Sequence, residues 1–174
     1  WNRPVYDVVD GKAHLRVENR VLPAGPTVVD TMANAAFYYG LVRGLVDADR
    51  PLWSQMSFDA ADENLHTGAR DGIDAQLYWP ELGWVRPDEL VLRRLLPIAD
   101  DGLRTYGVGS KARTRYLSVI EGRCLRRQTG SVWQRNAVAA REKAGETRTE
   151  ALHGMLRDYL TLMHEGEPVH SWPL

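Results

Sequence analysis

The segment 14–20 constrains the fold of this chain more strongly than any other stretch of similar length. Its ionisable residues alternate with uncharged ones, and side chains in a β-strand alternate between the two faces. One face would therefore carry His14, Arg16, Glu18 and Arg20, and the other Leu15, Val17, Asn19 and Val21. Three unpaired charges in a sheet buried on both faces would carry a large desolvation cost. We therefore expect the charged face to be wetted or to bind a charged ligand.

The residue types on this face suit an anion together with a hard metal ion. Two guanidiniums can hold a phosphate or carboxylate through paired hydrogen bonds. A carboxylate between them can ligate Mg²⁺, which shares phosphate oxygens with the arginines. The same Arg-x-Glu-x-Arg pattern also describes an exposed strand with cross-strand salt bridges. From the residues alone, both interpretations stay open.

The remaining pattern predicts a hairpin followed by helices. Asp10-Gly11 lies between two alternating runs and predicts a tight turn between strands at 5–9 and 13–21. We expect helices at 27–46, from 57 or 59 to 69, 87–99 with a kink at Pro97, 114–125, 130–143 and 147–164. Residues 73–86 suggest an irregular loop or a short strand, and the tail from 165 is expected to be extended. The predicted fold class is α+β and mostly α-helical: one antiparallel β-hairpin followed by a helical bundle.

Composition limits the classes of function. The net charge of −1 argues against a nucleic-acid partner, which would need a basic excess. No apolar run is long enough to span a bilayer and no signal peptide is apparent, so we expect a cytoplasmic protein with no membrane partner. The single cysteine, Cys124, excludes an internal disulfide and lies on an apolar helix face, where we expect it to be buried and inert.

Several segments together resemble a known enzyme family. The charged strand 14–20 leads through 22–26 into an apolar helix; with the turn 26–30, the helix segment 33–37 and the upstream segment 1–4, it resembles the glutamate–cysteine ligase (carboxylate–amine ligase) family. This family belongs to the glutamine synthetase-like ligases, and the likeness is to an actinobacterial branch. Segments 116–123, 129–134 and 167–173 are similar to the same branch, so the resemblance covers nearly the whole chain. Since 1–4 has the pattern of a strand end, we expect residues 1–174 to be a single C-terminal fragment of a ligase domain, with the catalytic hairpin at 1–25 and the helical part at 26–174.

The resemblance implies a role for each charged strand residue. A ligase of this family uses ATP and Mg²⁺ to join an amino-acid carboxylate to an amine through an acyl phosphate, as in glutathione biosynthesis. Glu18 falls where the family places a metal ligand, and Arg16 and Arg3 fall where arginines face the nucleotide phosphates. Arg20 falls where an arginine contacts the substrate carboxylate or its acyl phosphate. The expected catalytic residues are Arg16, Glu18 and Arg20, whereas His14 is expected to be a strand-end histidine.

Several expectations concern the surroundings of this strand. Asp30 and Asn34 lie in the helix behind it and are expected to cap the turn and orient the arginines. The partners would be the small-molecule substrates and the rest of the parent chain, without which the fragment is expected to be inactive. A homo-oligomer is possible because an open sheet edge invites pairing. The alternative is a non-catalytic helical assembly or regulatory module. The acid and amine substrates stay open.

Overall fold

The fold is described by a computed structural model of residues 2–174, so Trp1 lies outside the described residues. It confirms the predicted class, α+β and mostly helical. The strands are β1 (Asn2–Val9), β2 (Lys12–Asn19), β3 (Leu77–Trp79) and β4 (Gly83–Val85); the helices are α1 (Val28–Val46), α2 (Phe58–Asp71), α3 (Pro87–Leu90), α4 (Leu96–Thr105), α5 (Ser110–Arg126), α6 (Gly130–Lys143) and α7 (Arg148–Glu165).

The first hairpin has the turn that its sequence predicts. β1 and β2 pair antiparallel, with Val9 opposite Lys12, so two residues form the loop. Both have positive φ, 51° for Asp10 and 73° for Gly11, as a tight turn matching the strand twist requires. β1 starts three residues earlier than predicted. β2 ends at Asn19, two residues before the predicted end, so Arg20 lies just beyond the strand.

Side-chain caps explain where most of the long helices begin. The hydroxyls of Thr27, Ser57, Thr129 and Thr147 each accept a hydrogen bond from the backbone N–H three residues later. The predicted starts of α1, α2, α6 and α7 are confirmed within one residue. α5 has no side-chain cap and begins at Ser110, four residues earlier than predicted.

The predicted helix 87–99 is interrupted by a wide turn instead of a simple kink. Residues Val91–Leu95 form a π-helical turn between α3 and α4, in which the Leu96 N–H donates to the Val91 carbonyl. Pro97 has no N–H and cannot continue the regular α-helical hydrogen bonds. The wider turn ends directly before Leu96 and Pro97 and accommodates the proline. Within residues 73–86, the short strands β3 and β4 form a second small hairpin, so the short-strand alternative is the one observed.

α1 and α4 cross with their backbones in contact. A Cβ atom at Gly40 would collide with the carbonyl of Ala99, and one at Gly102 would collide with the carbonyl of Gly40. The glycines therefore allow the two helices to approach more closely than any side chain would permit. This crossing fixes the centre of the helical part.

The C-terminal tail packs into the core, and its predicted extended backbone is interrupted by one short turn. Residues Val169–Ser171 form a 3₁₀ turn, and Trp172 is almost fully buried. Its ring meets that of Trp133 edge to face at 5.1 Å and that of Tyr159 at 5.3 Å. Tryptophans that are far apart in sequence thus form one aromatic cluster, a contact that local pattern does not reveal.

Candidate functional site

The first hairpin gathers three of the four predicted site residues into one ion cluster. The register sets Arg3 directly opposite Glu18, and Arg20 follows two residues along the same face. Glu18 Oε2 accepts hydrogen bonds from Arg3 Nε at 3.2 Å and Nη2 at 2.9 Å. Glu18 Oε1 accepts from Arg20 Nη2 at 3.0 Å. The carboxylate therefore lies between two guanidiniums on one face. The alternation predicts Arg20 as one of them, but the other is Arg3 of the opposite strand and not Arg16.

Arg16, the fourth predicted site residue, belongs to a neighbouring cluster. Its Nη1 donates to Asp7 Oδ2 at 2.9 Å and lies 3.0 Å from His14 Nε2. Asp7 is opposite His14 in the register, so all three side chains are on the charged face. The expected catalytic residues are thus on one surface but not in one hydrogen-bonded group. His14 contacts Arg16, as a neighbour on the strand would.

Asp7 is the site residue that the sequence reasoning missed. The signal was available, because a two-residue turn at Asp10-Gly11 fixes the register and places Asp7 opposite His14. With it, and with Lys12 at the start of β2, the face holds four cationic side chains and two carboxylates, an excess of two positive charges. Such a face retains attraction for an anion while its arginines are kept in defined positions by the carboxylates.

The charges on this face are solvated. The side chains of Arg3 and Arg20 are more than half exposed and that of Glu18 is 37 % exposed. The hydrogen bond from Arg20, opposed by partial burial and reinforced by Arg3, lowers the pKa of Glu18 below its usual value. Hydrogen bonds from Arg16 and from the Val8 N–H similarly lower the pKa of Asp7. Both carboxylates are therefore ionised at neutral pH.

Glu18 fits the role of a single carboxylate ligand to Mg²⁺. It is ionised and accessible, and Mg²⁺ is commonly held by one or two carboxylates together with phosphates and water. Among residues 2–174, no group of three or more His, Cys, Asp or Glu side chains is placed to hold a metal ion. A metal at Glu18 would thus depend on nucleotide phosphates for much of its coordination, and it would displace one of the arginines from the carboxylate.

A cavity adjoins Arg20 at the end of the charged face. It has a volume of about 640 Å³ and lies between residues 20–27, which we call the linker, and helix α2. Arg20 and Pro23 line it from the linker, and Leu65 and His66 from α2. The lining is mostly apolar. Sequence pattern gave no indication of this cavity, because it depends on how α2 packs against the linker.

Cys124 is buried and is not part of the site. Burial, with a further contribution from the nearby Asp88 carboxylate, raises the pKa of the Cys124 thiol to about 11. A thiol with this pKa has very little thiolate at neutral pH. The prediction of a buried cysteine is confirmed, and its inertness stays a prediction that the raised pKa supports.

Comparisons with known proteins found no relative of this chain. No protein family model, curated protein sequence or solved structure matches this chain. Among residues 2–174, none of the helices combines the length and the apolar character that a membrane crossing requires.

Proposed function

We propose that this chain is the C-terminal part of an ATP- and Mg²⁺-dependent carboxylate–amine ligase resembling glutamate–cysteine ligase. The observation that carries the proposal is the arrangement of Arg3, Glu18 and Arg20 on one solvated face of a hairpin, with Arg16 beside them. Carboxylate activation by ATP brings several negative oxygens together, and arginines and Mg²⁺ are the groups that neutralise them.

The proposed reaction has two steps. A carboxylate oxygen of the acid substrate attacks the γ-phosphorus of ATP, and ADP leaves with the electrons of the broken P–O bond. The amine then attacks the acyl carbon of the acyl phosphate, loses a proton, and displaces inorganic phosphate. Arg16 and Arg3 would face the nucleotide phosphates, and Arg20 the substrate carboxylate or its acyl phosphate. Glu18 would hold the metal.

The exposed apolar residues on the uncharged face of the hairpin support the proposal that the hairpin belongs to a larger catalytic sheet. Tyr6, Leu15 and Val17 are each about two-thirds exposed or more. A two-stranded hairpin is marginally stable by itself, and an apolar face of this kind favours packing against other elements. We propose that further parts of the parent protein cover this face and complete the site. The 174-residue chain alone is then expected to show no ligase turnover. A cytoplasmic location, where ATP is supplied, belongs to the same proposal.

The test uses the natural gene product that contains this sequence. ADP release is measured with MgATP, glutamate and a panel of amino acids as amine substrates, for the wild type and for Glu18→Gln. The loss of one charge that stabilises the transferring phosphoryl group is expected to lower kcat by about 100-fold or more. Glu89→Gln is the matched control, because Glu89 also pairs with an arginine, Arg93, but on a helix away from the hairpin. Equal turnover by wild type and Glu18→Gln would contradict the proposal.

A second candidate is a non-catalytic assembly or regulatory module. It is favoured by Leu152, Leu156 and Leu160, which repeat every four residues along α7 and are 40–51 % exposed. An apolar stripe of this kind suits helix–helix association. Under this alternative Glu18→Gln leaves any ATP-dependent coupling intact, whereas charged substitutions in the stripe change the oligomeric state measured by light scattering.

A further inference from the structure

The first turn of α1 contains a buried ion pair that joins three parts of the chain. Asp30 is completely buried, and its Oδ1 accepts a hydrogen bond from Arg123 Nη2 at 2.7 Å. Its Oδ2 accepts from Thr27 Oγ1 at 2.9 Å and from the Val169 N–H at 3.1 Å. The linker, helix α5 and the C-terminal tail therefore meet at one carboxylate.

The same guanidinium reaches the middle of the linker through Asn34. Arg123 Nη1 donates to Asn34 Oδ1 at 2.6 Å, and Asn34 Nδ2 donates to the carbonyl of Pro23 at 3.3 Å. Two residues further on, the Gly25 N–H donates to Thr31 Oγ1 at 3.0 Å. The linker is thus held at two points after Arg20 and before the cap of α1.

Gly25 shows how closely the linker packs on this turn. A Cβ atom at Gly25 would lie 2.5 Å from Asp30 Cβ and 2.5 Å from the backbone N of Thr31. Real Cβ atoms do not approach other heavy atoms so closely, so the linker backbone rests directly on the helix. A displacement of the first turn of α1 would consequently displace the linker as well.

We propose that Arg123 is a positioning residue for Arg20. Through Asn34 and Asp30 it holds the linker, and hence the last arginine of the charged face, in a fixed place relative to the helical part. The role assigned to Arg20 in substrate binding rests on the proposed function, whereas the restraint on the linker does not. A planar guanidinium suits this task because it can hydrogen-bond both acceptors at once, which the single ammonium of a lysine cannot do in the same geometry.

The restraint is tested by amide hydrogen exchange on the 174-residue chain, followed at Gly25. Asn34→Ala removes the contact with Pro23 but leaves the Arg123–Asp30 pair, so it is expected to fold. Exchange at Gly25 should accelerate about tenfold relative to the slowest core amides, the factor that a lost hydrogen bond of typical net strength produces. Arg123→Lys should give a similar acceleration although it keeps the charge.

Arg127→Met is the matched control for the exchange experiment. Arg127 lies at the end of the same helix, and its Nη1 donates to Asp88 Oδ2 at 2.6 Å, but that pair does not contact the linker. Arg127→Met should therefore leave the exchange rate of the Gly25 amide, measured relative to the core amides, within twofold of the wild-type rate. If Asn34→Ala and Arg123→Lys also stay within twofold, the proposal is wrong.

A kinetic experiment on the natural gene product tests what the restraint does for Arg20. Asn34→Ala should raise KM for the acid substrate about tenfold and change KM for MgATP less than twofold, because the linker carries only the arginine assigned to the carboxylate. Equal changes in both constants, or none, would reduce the network to a structural role and overturn the positioning of Arg20. An inactive wild type would instead refute the proposed function, and the exchange result would still decide whether Arg123 restrains the linker.

Discussion

Removal of the Asp30 carboxylate is expected to destabilise the fold well beyond the loss of an ordinary surface ion pair. In Asp30→Ala the guanidinium of Arg123, whose side chain is only 14 % exposed, loses its charge partner. The Val169 N–H and the Thr27 hydroxyl lose an acceptor as well. Breaking a buried pair by removing one member typically costs about 3–5 kcal/mol. Arg123 keeps the oxygen of Asn34 as an acceptor, so we expect the lower end, about 3 kcal/mol.

Thermal and urea unfolding of the 174-residue chain measure this effect. For a chain of this length, about 3 kcal/mol corresponds to a fall in Tm of roughly 6–12 °C. The double variant Asp30→Ala, Arg123→Met should cost less than the sum of its single changes by about 1.5 kcal/mol or more, because the two residues act as a pair. Asp101→Ala, which removes the exposed partner of Arg104, is the control and should cost less than about 1 kcal/mol. A loss for Asp30→Ala no larger than that control would refute the reasoning.

Three further predictions concern separate parts of the chain. In an NMR titration the Glu18 carboxylate should stay ionised to lower pH than an ordinary glutamate, and Arg20→Ala should raise the pKa of Glu18. The pKa of Glu150, which a helix cap elsewhere in the chain lowers, should not change in this variant and is the control. An unchanged pKa of Glu18 in Arg20→Ala would contradict the ion cluster. Trp172→Ala should lower the free energy of unfolding by about 3–5 kcal/mol, since the ring is buried in the aromatic cluster; urea unfolding measures this, and a loss under 1 kcal/mol would mean a loosely held tail. At pH 8 only about 0.1 % of Cys124 should be thiolate, so a disulfide reagent should react quickly only after unfolding, and rapid reaction of the native chain would contradict its burial.

The sequence was sufficient to predict the hairpin and most of the helix boundaries because both depend on local signals. Asp10-Gly11 determined the turn, and the turn determined which residues face one another across the strands. The threonine and serine caps marked the starts of four helices. The alternation of charges correctly placed Arg16, Glu18 and Arg20 on one face, but only the register shows that Arg16 pairs with Asp7.

The contacts that local pattern could not predict join residues far apart in the chain. Arg123 is 93 positions from Asp30, and nothing in the segment around either residue indicates the other. Burial of the tail depends on Trp133 and Tyr159, which belong to helices that precede it. The cavity beside Arg20 likewise exists only because α2 packs against the linker. These features follow from tertiary packing, which periodicity and capping rules do not contain.

Transfer of an isotope label tests the proposed ligase chemistry most directly. The natural gene product is incubated with MgATP, an amine substrate and glutamate carrying ¹⁸O in its side-chain carboxylate, and the phosphate released is analysed by mass spectrometry. Activation through an acyl phosphate leaves one carboxylate oxygen on phosphorus, so the account predicts one ¹⁸O in each phosphate from the wild type and strongly reduced labelled phosphate from Glu18→Gln. Unlabelled phosphate from the wild type, or equal labelled product from Glu18→Gln, would contradict it.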